Sequence, residues 1–108
     1  MTSEIFAVMR MRGPAWNDAA AMEEQVDWRR HADYMNALAD DGFIVLGGPL
    51  AGTRDVLLIV RAESEAGIVV CLADDCWSVN GLLKTLWIRP WRLRLGGLDS
   101  AAPLRASP

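Results

Sequence analysis

The sequence predicts an α+β domain, and two patterns carry that prediction. Four apolar runs of strand length are separated by two stretches whose apolar residues recur at helical spacing. The link Ala51-Gly52-Thr53 between the second and third runs is short enough to close an antiparallel hairpin. The resulting order, β-α-β-β-α-β, is ferredoxin-like, and right-handed crossovers place both helices on one face of a four-stranded antiparallel sheet.

The first strand and the first helix are predicted from where the apolar patterns begin and end. Glu4–Met11 has apolar residues in both alternating sets, so both faces of this strand are expected to be covered. The first helix is expected over Ala19–Asp40, with Asp18 as its N-cap and Gly42 offering the left-handed conformation after its end. Its apolar side comprises Met22, Val26, Trp28, Ala32, Met35, Leu38 and Ala39.

The second half of the chain repeats the layout. Ser64 is a suitable N-cap for the second helix, and Glu65 suits its first turn. The predicted elements are strand two (Phe43–Leu50), strand three (Arg54–Glu63), helix two (Glu65–Asp74), a loop (Asp74–Gly81) and strand four (Leu82–Leu93).

The length and composition of the chain indicate one folded domain. The chain has 108 residues, of which 52% are hydrophobic, so we assign residues 1–95 to a packed domain and residues 96–108 to a mobile tail. A net charge of −3 argues against a nucleic-acid partner. No run approaches the ~18 apolar residues of a membrane span, and no secretory signal begins the chain. Two cysteines are too few for a disulfide framework, or for a zinc site beside one histidine, which predicts a cytoplasmic protein without a metal.

The sheet is expected to pair with a second copy of the chain. Strands one to three carry apolar side chains in both directions, while the helices cover one face only. The uncovered face would be larger than the apolar patches that monomers tolerate. We therefore predict a homodimer that packs sheet against sheet.

The only histidine lies on the apolar stripe of the first helix. Trp28, His31, Met35 and Leu38 follow one another at spacings of three, four and three residues. An imidazole on such a stripe either has a structural hydrogen-bond partner or acts as a general acid or base. Asp27, one turn earlier, is a possible local partner.

Five segments of the chain resemble the YciI-like (YCII-related) family of the dimeric α+β barrel superfamily. They are His31–Leu38, Gly42–Leu50, Arg61–Ala66, Asp74–Trp77 and Ile88–Trp91. The family has a histidine on its first helix and an aspartate that opens an Asp-Pro-aromatic step after the second helix. His31 and Asp75 match these positions, Trp77 is the aromatic residue, and Cys76 replaces the usual proline.

The resemblance implies a catalytic pair of His31 and Asp75, in which the carboxylate orients the imidazole. Asp74 is an alternative partner, and Asp75 could instead serve only to end helix two. Trp28, Gly48 and Trp77 are the expected ligand-binding residues. Four arginines near strand ends could hold a substrate carboxylate, but we expect them to be solvated or paired across strands: Arg10, Arg12, Arg61 and Arg89.

Two functions remain open. The first is a cofactor-free enzyme of lyase, isomerase or dehalogenase type, acting on a small cyclic or carbonyl-bearing molecule through His31 and Asp75. The second is a non-catalytic module that binds a small ligand or assists a larger enzyme. RNA-binding domains share the element order, but they expose basic and aromatic residues on strands that are aliphatic here.

Overall fold

The computed structural model describes residues 3–98, which form a four-stranded sheet with three helices. The elements are β1 (Glu4–Arg12), a 3₁₀ turn (Met22–Glu24), α1 (Trp28–Asp40), β2 (Ile44–Pro49), β3 (Asp55–Ala62), α2 (Glu65–Ala73), α3 (Cys76–Val79) and β4 (Leu83–Pro90). The predicted α+β class is confirmed. Of the predicted tail, residues 99–108 lie outside the described part of the chain. Within the described range, no helix has the length and apolar character needed to cross a membrane.

The sheet has the strand order β2-β3-β1-β4, and every pair of neighbouring strands is antiparallel. The predicted hairpin of β2 and β3 is confirmed, because these strands pair along their length. β1 lies between β3 and β4, so its side chains occupy the middle of both faces. The order is compatible with the ferredoxin-like arrangement.

Both long helices pack on the same face of the sheet. Side chains alternate between faces along a strand, and on this face β1 contributes Phe6 and Val8, which are 3% and 0% exposed. The core there comprises Phe6, Val8, Ile44, Leu58, Val60, Ile68, Leu72 and Ile88, with Met35 and Leu38 of α1 packed against it. The predicted inward stripe of the first helix therefore faces the sheet.

Helix α1 begins at Trp28, so the predicted start at Ala19 is wrong. The buried side chain of Gln25 holds the preceding loop: its Nε2 donates to the carbonyl oxygen of Asn17 at 2.8 Å, and its Oε1 accepts from the Asn17 amide at 3.0 Å. These bonds hold the backbone in a non-helical path. Asp27 then takes a left-handed conformation with φ of 61°, which separates the loop from the helix.

Two residues assigned to that longer helix therefore have other environments. Asp18, predicted as the N-cap, accepts a hydrogen bond from Arg54 Nη1 at 2.7 Å. Val26, predicted on the apolar side, is 64% exposed. The helical pattern of residues 19–27 is overridden by the hydrogen bonds of Gln25 with Asn17 and of Trp77 with the Val26 oxygen, which the spacing of apolar residues does not reveal.

The remaining helix ends follow the sequence. α1 ends at Asp40, and Gly42 has the expected left-handed conformation with φ of 85°. Ser64 caps α2, because its Oγ accepts from the Gly67 amide at 3.1 Å. Both predictions are confirmed.

The segment after α2 differs from the prediction in two ways. Cys76–Val79 forms a short helix where a loop was predicted, because the Asp75 side chain caps it by accepting from the Trp77 amide at 3.2 Å. Strand β4 ends at Pro90 rather than Leu93, and its pairing with β1 has a register shift between Met9 and Arg10.

Candidate functional site

His31 and Asp75 are in direct contact. The first turn of α1 presents the imidazole, and the cap of α3 presents the carboxylate, so that His31 Nδ1 lies 2.8 Å from Asp75 Oδ1. Both residues are buried, and Asp75 is 0% exposed. The structure thus brings the two predicted catalytic residues together across 44 positions of sequence.

The other oxygen of Asp75 is held by an arginine. Arg10 Nη1 lies 3.2 Å from Asp75 Oδ2, and Arg10 is 1% exposed. Its second terminal nitrogen donates to Ser78 Oγ, which in turn donates to the carbonyl oxygen of Leu72 at 2.7 Å. The prediction that Arg10 is solvated or paired across strands is wrong, because the strand alternation that buries Val8 also turns Arg10 under the helices, where it pairs with Asp75 at the start of α3.

The hydrogen bonds of Asp75 fix its ionisation and the tautomer of His31. Burial alone would raise the pKa of Asp75, but the bonds from His31, the Trp77 amide and Arg10 outweigh it and hold that pKa below its usual value. Asp75 is therefore a carboxylate at neutral pH. Because a carboxylate only accepts hydrogen bonds, the proton of a neutral His31 must lie on Nδ1, which leaves a lone pair on Nε2.

Tryptophan rings hold the imidazole in place. The rings of His31 and Trp77 are stacked, with centroids 3.8 Å apart and planes 9° from parallel. Trp77 is itself fixed, since its Nε1 donates to the carbonyl oxygen of Val26 at 2.7 Å and Trp16 meets its ring edge-on at 5.3 Å. Trp28 lies 6.1 Å from the imidazole. The ring of His31 therefore has little rotational freedom.

A cavity of about 600 Å³ opens beside His31, between α1, β2 and the loop before α1. Its wall includes His31 and all three predicted ligand-binding residues, Trp28, Gly48 and Trp77. Nε2 of His31 makes no hydrogen bond to residues 3–98 and is not a fully buried atom. The cavity is thus where a small molecule could reach the free nitrogen of the imidazole.

Of the two adjacent glycines in β2, only Gly48 has space beside it for a side chain. A Cβ at Gly47 would lie 2.6 Å from Leu58 Cδ2, whereas a Cβ at Gly48 would meet nothing within 4 Å. Gly47 is therefore required for strand packing. Gly48 pairs with Leu57, so its open side lies on the sheet face opposite the helices, and its backbone alone forms part of the cavity wall.

The alternative partners and the cysteine take no part in the pair. Asp27 contributes only its backbone oxygen, which accepts from the His31 amide at 3.0 Å, and Asp74 is exposed at the end of α2. Burial and the negative charge of Asp75 raise the pKa of the Cys76 thiol. A protonated thiol is a poor nucleophile, which agrees with its interpretation as a structural substitution.

Sequence reasoning missed three residues that complete the site: Arg10, Ser78 and Trp16. The signal for Arg10 was available, since it shares the alternating set of Phe6 and Val8 in β1. The sequence gives no such signal for Ser78 and Trp16, because their contacts depend on how α3 packs against β1, against α2 and against the loop that carries Trp16. In residues 3–98, no three His, Cys, Asp or Glu side chains are grouped as metal ligands.

Comparison of the chain with protein-family models, curated proteins and solved structures found no match.

Proposed function

We propose that this protein is a small cofactor-free enzyme that performs acid-base chemistry with His31 on a small cyclic or carbonyl-bearing molecule. The observation that carries the proposal is the 2.8 Å contact of Nδ1 with Asp75, with Nε2 left free beside the cavity. This arrangement presents a lone pair of fixed direction to a bound molecule. The reaction is of lyase, isomerase or dehalogenase type.

His31 removes a proton from the substrate at Nε2 and returns it to another atom of the same molecule or to a leaving group. The charge on the imidazolium that forms is stabilised by Asp75, which stays ionised because hydrogen bonds from His31, the Trp77 amide and Arg10 hold its pKa below the usual value. Asp75 is thus a positioning residue. The largely apolar wall around His31 lowers the local polarity and strengthens these interactions.

The test is turnover of a panel of lactones, cyclic ketones and halogenated phenols by the wild type and by His31→Asn. The asparagine amide can replace Nδ1 as a donor to Asp75, but nothing replaces Nε2. We expect the rate to fall by about 10²–10⁴-fold, the usual contribution of a general acid or base. The matched control is Asp33→Asn, an exposed change on the same helix, which should leave the rate unchanged.

Equal rates for the wild type and His31→Asn would remove His31 from the reaction. A thermal-shift screen on the same panel separates the alternative function. Ligands that stabilise the wild type without being converted would identify a non-catalytic binding module instead.

The resemblance to the YciI-like family supports the proposal, since a His-Asp pair beside a pocket is what that resemblance implies. We include in this proposal that the chain has the ferredoxin-like topology and that two copies of it form a dimeric α+β barrel. Cys71 and Cys76 are both unpaired, which fits a reducing compartment, and we place the protein in the cytoplasm.

We further propose that the chain forms a homodimer through the sheet face opposite the helices. Met9 is paired with Leu57 on one side and Trp87 on the other, so these three side chains lie together on that face. Trp87 is 36% exposed and Leu46 of β2, on the same face, is 42% exposed. An apolar face of this kind is typical of an interface between subunits.

Sedimentation of the wild type should give the mass of two copies, and Met9→Lys should give the mass of one, because a charge at the centre of an apolar interface has no partner. Val69→Lys is the control, since Val69 is 53% exposed on α2, which packs on the other face of the sheet. A wild type that sediments as a single copy at micromolar concentration contradicts the dimer.

A further inference from the structure

Among the described residues, the wall of the cavity beside His31 carries one cationic side chain and no carboxylate, although the chain as a whole is acidic. The net charge is −3, yet the lining drawn from residues 3–98 includes Arg12 and neither Asp nor Glu. Asp75 is fully buried behind the imidazole and paired with Arg10. A bound anion would therefore meet a positive charge with no negative side chain in the wall.

Arg12 is held in place without being neutralised. Its Cζ lies 4.5 Å from the centroid of the Trp16 ring, and both residues line the cavity. Within residues 3–98 its guanidinium makes no hydrogen bond and no ion pair. Asp18 is paired with Arg54 instead. A guanidinium that rests on an aromatic face keeps its N–H groups free in its own plane, where they can bind a carboxylate in pairs.

The rest of the wall is almost entirely apolar. Only His31 and Asn36 add polar side chains to that of Arg12, and the body of the cavity is formed by residues such as Trp28, Met35 and Leu83. A volume of about 600 Å³ is within the range of small-molecule sites. The wall matches a ligand with one charged end and an apolar body.

We propose that the cavity binds a small organic carboxylate, with the carboxylate on Arg12 and an apolar, ring-sized body against Trp28 beside His31. The proposal rests on the proposed function, because it names the substrate class of the same site. One guanidinium matches one planar carboxylate in charge and in geometry. A dianionic phosphate ester would leave a charge without a partner in an apolar cavity.

The probes are 2-naphthoate, its neutral analogue 2-naphthamide, and 2-naphthyl phosphate, with binding followed by calorimetry and by tryptophan fluorescence. We expect the wild type to bind naphthoate about tenfold or more tightly than the amide, the effect of one charge-assisted hydrogen-bonded pair. Arg12→Gln should abolish that preference while leaving the affinity for the amide unchanged. Arg12→Lys should restore part of it, because the charge returns without the planar fork.

Arg61→Gln is the matched control, since Arg61 is exposed and pairs in register with Ile5, away from the helix-covered face. It should bind naphthoate as the wild type does. Equal affinity for acid and amide, a preference that survives Arg12→Gln, stronger binding of the phosphate, or no binding of naphthoate at millimolar concentration overturns the proposal.

His31→Asn separates this proposal from the proposed function. A preference for the carboxylate that persists in His31→Asn, with no turnover by any form of the protein, supports the ligand class and removes the enzyme. Turnover of neutral compounds that depends on His31, without preference for the acid, leaves the enzyme and removes the ligand class.

Discussion

Replacing Asp75 by asparagine is expected to lower the free energy of unfolding by about 3–5 kcal/mol, the cost of breaking a buried ion pair from one side. Asp75 uses both oxygens, one for His31 and the Trp77 amide and the other for Arg10. Asparagine has only one side-chain oxygen, so its NH₂ group would face either the N–H groups of His31 and Trp77 or the guanidinium of Arg10, which are all donors. The charge of Arg10 would then remain buried and uncompensated. Urea denaturation of both proteins at neutral pH measures the difference.

Asp74→Asn is the neighbouring control, and it should change stability by no more than about 0.5 kcal/mol because Asp74 is exposed. Adding Arg10→Met to Asp75→Asn should recover part of the loss, since the double variant no longer buries a lone charge. If the two changes are simply additive, the ion pair is not what holds this region together.

Acid should weaken the stabilisation that ionised Asp75 provides through His31 and Arg10. The pKa of Asp75 is lower in the folded protein than the ordinary aspartate value of 3.8, so between these two values the unfolded chain binds the proton and the folded protein does not. Stability therefore falls as the pH drops below about 4 towards the pKa of the folded state, and the wild type should approach Asp75→Asn there. A stability difference that is constant from neutral pH down to this range contradicts the assignment.

Trp77→Ala is the second change with a large expected effect, a loss of about 3–5 kcal/mol for a buried tryptophan. The indole is 1% exposed, stacks on His31 and meets the edge of Trp16. Its removal leaves a void under the imidazole and frees the loop that ends at Val26, whose oxygen accepts the indole N–H. Denaturation and near-ultraviolet circular dichroism measure the two effects.

Two further tryptophan variants make the test specific. Trp91→Ala should cost less than about 1 kcal/mol, since Trp91 is 47% exposed. The loss of stability for Trp77→Phe should fall between those for Trp77→Ala and Trp91→Ala. Phenylalanine keeps an aromatic ring on His31 but leaves the oxygen of Val26 without its donor. Equal losses at positions 77 and 91 would show that the stack on His31 does not support the fold.

The pairing of His31 shows where sequence reasoning stops. The stripe of the first helix placed His31 towards the sheet, and the resemblance offered Asp75, but Asp27 and Asp74 were chemically equivalent candidates. The choice depends on where α3 places its N-cap, and that helix was predicted as a loop. Capping by Asp75 both forms the helix and aims the second lone pair of its carboxylate at His31.

Local periodicity by itself determined the order of strands and helices, the hairpin, the cap at Ser64 and the end of the first helix at Gly42. Each of these depends on residues within a few positions of one another. The tertiary structure decided that Arg10 is buried, that α1 begins only at Trp28, and that Asp75 is the partner of His31. The pairing of Arg10 and of His31 with Asp75 depends on hydrogen bonds between segments far apart in the chain. The start of α1 depends on the hydrogen bonds of Gln25 with Asn17 and of Trp77 with the Val26 oxygen, which the spacing of apolar residues does not reveal.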